Sequence, residues 1–338
     1  MAFSAPIDAY DEAAIATCQK LERGTKKCGV KSKPIDIARF EASALPIDPL
    51  TEERIARVAA LGKAKGMDPR SFALVGDSIT VFRDFMRPFR AKTTDKVVIA
   101  PEVERALALD PAASGGKPAS IIDWYRGHEV ETYAGKSIDA FGAERAAKVG
   151  ARASWPLIGG EASPLVKLVE RVHPAIAIVA FGANDAAYRT APIEELAREF
   201  DANMMKLVEA LESRGVIVIL ENEMRHGDQP GVKSCPSDDA ASNDWRTAVA
   251  TNLLVRRTAE IACREHLPFV DFRYALDEAT AHGLGPDAVH PSINGKAGGG
   301  RLDELGLDCG FNIRSLVTLL ELRNVVNALV RRGVFPPL

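Results

Sequence analysis

Three short clusters carry the residue types that acyl-transfer chemistry needs. Gly76-Asp77-Ser78-Ile79-Thr80 places a serine where an apolar run ends, and a serine at a tight strand-to-helix turn presents its hydroxyl at the sheet edge. Asp287-Ala288-Val289-His290 puts a carboxylate three residues before an imidazole in a Gly/Pro-rich loop. At that spacing the carboxylate can accept the Nδ1–H bond, leaving Nε2 free to take a proton from a hydroxyl. Gly182-Ala183-Asn184-Asp185 follows a second apolar run, and its amide can donate to a developing oxyanion. Each cluster alone also reads as an ordinary turn and helix cap, or as a solvated histidine. Their joint occurrence is informative because of where the surrounding elements put them.

A helix is signalled from Thr51, with Ile55, Val58, Ala59 and Leu61 at helical spacing and Gly66 and Pro69 as its stop. Continuous apolar runs at 72–75, 175–181, 216–220 and, more briefly, 268–272 read as strands buried on both faces. Between them Ile193, Leu196, Phe200, Met204, Leu207, Val208 and Leu211 share one helical face, and 245–266 and 312–332 are further helix candidates. Apolar strands alternating with amphipathic helices imply an α/β fold, a doubly wound parallel sheet sandwiched by helices. Ligands of such sheets sit outside the carboxyl ends of the strands. Ser78 and Asn184 follow strands directly, and the Asp287/His290 loop is expected on the same rim. Residues 1–50, rich in Lys, Asp, Ala and Pro without periodicity, read as an extension packed on a single domain spanning 51–338.

In these blocks and their order the chain resembles the SGNH/GDSL hydrolases, over about residues 70 to 295. The resemblance implies a flavodoxin-like three-layer fold and a serine esterase or lipase. Ser78 would be the nucleophile, and Asp287 and His290 the rest of a triad. Asn184 would complete an oxyanion hole with the backbone N–H of Ser78 and of a glycine, here Gly135 after the strand-like segment 128–134, with Gly142 as the second choice. The chain departs from the compact family pattern in the roughly 50 residues between Ser78 and Gly135. An insertion at about 84–128 is either a lid or a passive surface elaboration. Trp124, Tyr125 and Trp155 either line an acyl or sugar pocket or pack the core. The expected function is hydrolysis of a small-molecule or glycan-linked carboxylic ester, with a thioesterase or lysophospholipase as a subclass. A glycan- or lipid-binding module without turnover is the alternative from another class.

Composition bounds the remaining choices. Of 338 residues, 46% are hydrophobic and 26% charged, which is enough apolar surface for a sizeable core. The net charge is -3 and Lys and Arg form no run, so a nucleic-acid partner is not expected. The longest apolar stretches fall far short of the roughly 20 residues that span a bilayer. The chemistry needs no cofactor or metal, and Cys18, Cys28, Cys235, Cys263 and Cys309 lack zinc-ligand spacing. Cys18 and Cys28 are either a local disulfide or a free pair, and Cys235 with Cys309 is a second candidate bridge, which would leave Cys263 unpaired on a helix. This cysteine usage points to a secreted or periplasmic protein. No basic segment followed by an apolar run opens the chain, so an export leader is expected to have been removed.

Overall fold

A computed structural model describes residues 28–30, 32–91, 97–187, 191–224, 243–293 and 298–338. The elements begin with α1 (Ile37–Ser43), α2 (Pro49–Ala64), β1 (Asp68–Gly76), the single-turn α3 (Ser78–Val81), β2 (Val98–Ile99), α4 (Pro101–Ala106) and α5 (Ile121–Tyr125). There follow β3 (Glu131–Tyr133), β4 (Lys136–Ile138), β5 (Ala146–Ala147), α6 (Pro164–Val172), β6 (Pro174–Ala180), α7 (Ala183–Ala186) and α8 (Ile193–Glu212). The chain continues through β7 (Ile217–Glu221), α9 (Asn243–Arg264), β8 (Phe269–Val270), α10 (Phe272–Ala275), β9 (Arg301–Leu302) and α11 (Gly310–Arg331). Local chemistry sets the boundaries. Asp48 caps α2 by accepting the Leu50 and Thr51 N–H groups at 2.8 and 2.9 Å, and Pro49 sits at its first position, where no N–H is needed. Leu61, expected on the buried face, is exposed instead.

The central sheet is parallel, in the order β5-β1-β6-β7-β8. Counting only its own strands along the chain, this is the doubly wound 2-1-3-4-5 order, which switches direction between β1 and β6. Side chains alternate between two cores because successive strand residues face opposite ways. Phe72, Leu74, Ile176, Ile178, Ile217 and Ile219 pack on one face with α2 and α11. Ala73, Val75, Ala177, Val179, Val218 and Leu220 pack on the other with α6, α8 and α9. Burying each large aliphatic side chain contributes about 1.5–3 kcal/mol, which is why these strands read as unbroken apolar runs.

Helix α11 is buried on nearly every side, because the insertion and the extension cover the face that the sheet does not. Phe85, Met86, Phe89, Val103, Ile121 and Trp124 are buried in the same core as α11, and Trp124 stacks on Phe335 at 6.5 Å. Tyr125 lies edge-on to Phe72 at 4.9 Å. The insertion is thus a structural wall on the far side of α11, and Trp124 and Tyr125 are core residues.

Two sequence-based expectations give way here. Segment 128–134 does not enter the central sheet: β3 pairs antiparallel with β4 in a hairpin whose turn is Ala134-Gly135, both at positive φ. A strand joined to its neighbour by two residues pairs locally. The true neighbour of β1 is β5, which is only two residues long and leaves no run to detect. Cys28 is bonded to Cys309, 281 residues away, which excludes its pairing with Cys18 and that of Cys309 with Cys235. Cys18 and Cys235 lie outside the described residues, and Cys263 is free and exposed. Nearness in sequence was a poor guide because the extension runs back to the start of α11. There Asp308 accepts from the Gly29 N–H at 3.0 Å and Lys33 Nζ at 2.6 Å.

Candidate functional site

Strand β1 ends at Gly76, where a Cβ would stand 2.3 Å from Thr80 Oγ1 and 2.8 Å from Ala180 O, so only glycine lets the chain turn this tightly. Asp77 then caps α3 by accepting the Ile79 N–H at 3.0 Å, and Ser78 opens the helix at the carboxyl edge of the sheet. Its Oγ is 2.9 Å from His290 Nε2, and His290 Nδ1 is 2.6 Å from Asp287 Oδ2. Folding thus joins residues separated by 212 positions into one hydroxyl–imidazole–carboxylate relay.

The loop that presents the imidazole is organised by Asp287, whose Oδ1 accepts the Val289 and His290 N–H groups at 3.1 and 3.0 Å. Burial pushes the Asp287 carboxyl up, but these N–H groups and the imidazole outweigh it, and the net shift is downward. Asp287 is therefore ionised at neutral pH. Phe82, half exposed, lies 5.3 Å from the His290 ring and 5.1 Å from Phe311, and so limits how far the imidazole can tilt. Two residues beyond His290, Ser292 Oγ accepts the Gly310 N–H at 3.0 Å, which ties the loop to the start of α11.

Asn184 arrives from β6. Gly182 sits at φ 149°, a conformation that side-chain-bearing residues avoid, and it aims α7 back toward β1. Asn184 Nδ2 donates to Asp77 Oδ2 at 2.6 Å. Next to it, Asp185 is pushed up to about 7 by burial, against the pull of the Ala153 N–H that its two oxygens accept at 3.1 and 3.2 Å.

Gly135 and Gly142 do not share this edge of the central sheet. Gly135 is the exposed hairpin turn described above, and Gly142 is in a turn, donating its N–H to Asp139 O at 2.9 Å. The strand beside β1 is β5, with Ala147 opposite Gly76 and the Lys148 N–H donating to Gly76 O at 3.2 Å. The loop that leaves the sheet next to Ser78 is therefore Lys148-Val149-Gly150-Ala151-Arg152. Arg152 Nε in turn donates to Asn184 O at 3.3 Å.

Several residues around the site are absent from the sequence-based expectations. Arg145 donates to the Thr80, Phe82 and Phe85 carbonyls at 2.5, 3.0 and 2.7 Å, closing the end of α3. Burial, then the charges of Arg87 and Arg314, lower it to about 9, so it remains cationic at neutral pH. Arg314 lies 3.9 Å over the Phe85 ring, pairs with Glu221 and donates to Thr80 Oγ1 at 3.2 Å. Glu223, two residues past β7, accepts the Ala183 N–H at 2.5 Å. The rule that picked out Ser78 and Asn184, chemistry just after a buried strand, also covers Glu223. Arg145 and Arg314 carry no such signal.

A hydroxyl–imidazole–carboxylate relay at the switch point of a doubly wound sheet defines a hydrolase-like α/β protein. The sequence matches the GDSL-like lipase/acylhydrolase family over residues 119–297, a little over half of the chain. The chain belongs to that family, and by class it is a hydrolase of ester substrates. The matched span contains Asn184, Asp287 and His290 and begins after Ser78, beyond most of the insertion. A search of the curated proteins finds no match. Among solved structures the chain is similar to a lipase/acylhydrolase from Enterococcus faecalis, at 17% identity over 75% of this chain and 95% of that one, with TM-score 0.38. It is also similar to an acetylxylan esterase from Geobacillus stearothermophilus, at 15% identity over 75% and 93%, with TM-score 0.40.

Proposed function

We propose that the protein is a serine-dependent carboxylic ester hydrolase that works through an acyl-enzyme on Ser78. The observation that carries the reading is the unbroken relay from Ser78 Oγ to His290 Nε2 at 2.9 Å and from His290 Nδ1 to Asp287 at 2.6 Å. His290 takes the Ser78 proton as the oxygen attacks the ester carbonyl, then gives it to the departing alcohol. Asp287 holds the ring and stabilises the imidazolium. Charge gathering on the carbonyl oxygen is met by the Ser78 N–H and the Asn184 amide. The Gly150 N–H takes the part first assigned to Gly135, because its loop follows the strand beside β1. Water then repeats the attack and frees the acid.

The substrate class to test first is an ester with a short acyl chain or an acetylated carbohydrate, the exposed Val81 and Phe82 side chains offering apolar contact beside Ser78. The Cys28–Cys309 bond supports an exported, secreted or periplasmic protein, since such bonds persist in oxidising compartments. Hydrolysis of p-nitrophenyl acetate and labelling by a fluorophosphonate test the mechanism. Wild type should hydrolyse the ester and take the label, whereas Ser78→Ala should lose at least about 10³-fold in kcat and take none. Equal rates in the two proteins would eliminate Ser78 as nucleophile. Saturable glycan or lipid binding without labelling would establish a binding module instead.

A further inference from the structure

Behind the Ser78–His290 pair lies a buried cluster of acids that the proposed chemistry does not use. Asp77 and Glu223 are both essentially inaccessible, at 0% and 3% exposure. Asp77 accepts the Ile79 N–H through Oδ1 and the Asn184 amide through Oδ2. Glu223 accepts the Ala183 N–H through Oε2, while no donor group reaches its Oε1. The two carboxyl groups face each other behind Asn184 and each feels the other's charge. Two buried carboxylates offer only acceptors and repel, so the arrangement favours a proton held by the pair. The charged groups around the pair reinforce this. Asp185 of α7 adds negative charge, and the nearby cation, Arg314 of α11, already serves Glu221 of β7.

We infer that Glu223 is a positioning residue whose proton, shared with Asp77, fixes the Asn184 amide in its oxyanion-binding orientation. The inference rests on the proposed roles of Ser78 and Asn184. Glu223 reaches Asn184 by two routes. Through the Ala183 N–H it pins the first turn of α7, which carries Asn184. Through Asp77 it holds the acceptor of one Asn184 N–H, and the other is the one assigned to the oxyanion. An amide anchored in advance need not reorganise as charge develops. If the pair loses its proton, the contact becomes a repulsion, and a second negative charge faces the site where the oxyanion forms. Burial and the charge of Asp77 both push Glu223 well above the usual carboxylate range, which moves that loss to higher pH.

The test compares Glu223→Gln and Glu223→Ala with wild type and Ser78→Ala, measuring kcat and KM on p-nitrophenyl acetate from neutral into alkaline pH. Glutamine retains both contacts, accepting from Ala183 and donating to Asp77 without a titratable proton. It should keep kcat within about threefold of wild type and lose the alkaline decline, whereas alanine should lower kcat roughly 10–100-fold with KM nearly unchanged. Wild-type kcat and pH profile in Glu223→Ala would overturn the inference, as would Glu223→Gln performing no better than alanine. Should the alanine variant fail to fold, the glutamine variant decides alone: an alkaline decline like that of wild type would refute the role. Loss of activity in Ser78→Ala beside an unaffected Glu223→Ala sinks this inference only, whereas full activity in Ser78→Ala sinks the hydrolytic reading beneath it.

Discussion

Replacing Arg314 by methionine isolates the ion pair that supports the helix opened by Ser78. Arg314 and Glu221 have side chains 1% and 0% exposed, so neither can turn to water when its partner is lost. Without Arg314, the Glu221 carboxylate keeps the Thr318 hydroxyl at 2.9 Å. Removing one member of a buried pair costs about 3–5 kcal/mol, because the other charge remains desolvated. For a chain of this length the unfolding entropy is about 0.7 kcal/mol/K, so the melting temperature should fall by about 4–7 °C. Pairing Arg314→Met with Glu221→Leu removes both charges and should recover most of the loss, as exchange of buried pairs for apolar residues often does. The readout is thermal unfolding by circular dichroism for wild type, both single variants and the double variant. A single-variant drop under about 1.5 °C would show that the pair is not a buried electrostatic unit. A double variant as unstable as the singles would refute the reasoning on the same ground.

Asn184→Ala should lower kcat on p-nitrophenyl acetate by about 10²–10³-fold with little change in KM, since one oxyanion donor is lost; an unchanged kcat would remove Asn184 from the site. Cys28→Ser should cost about 2–5 kcal/mol, read as a melting temperature lower by about 3–7 °C, and an unshifted melt would show that the bond to Cys309 does not constrain the chain. Glu321 is fully buried, and its carboxyl is pushed by desolvation from 4.5 up to about 8. Its folded-state pKa being the higher one, its stabilising effect is full below about pH 4.5 and disappears as pH rises to about 8. Glu321→Gln should therefore melt more nearly pH-independently than wild type over that interval, and parallel melting curves would contradict this placement of the proton.

The sequence by itself determined the layered fold and the residues of the candidate site. Phe72–Val75, 175–181 and 216–220 are apolar without interruption because strands covered on both faces leave no polar position, and that pattern survives in one dimension. Ser78 and Asn184 were legible because turns after such strands are short and reach a common edge, and Asp287 and His290 because their three-residue spacing fits a carboxylate–imidazole pair. The tertiary structure alone decided the rest. Ala146-Ala147 is too short to announce itself as a strand, so the proposed oxyanion glycine moves from Gly135 to Gly150 once β5 is found beside β1. Cys28 meets Cys309 because the extension returns to α11, a closure that no local spacing encodes. The described residues of the insertion pack on α11 because that helix is apolar on the face the sheet leaves bare. Asp77, Glu223, Glu221 and Arg314 look like ordinary charged residues in the sequence. Only burial together makes their protons and charges depend on one another, since desolvation and pairing are properties of neighbours in space.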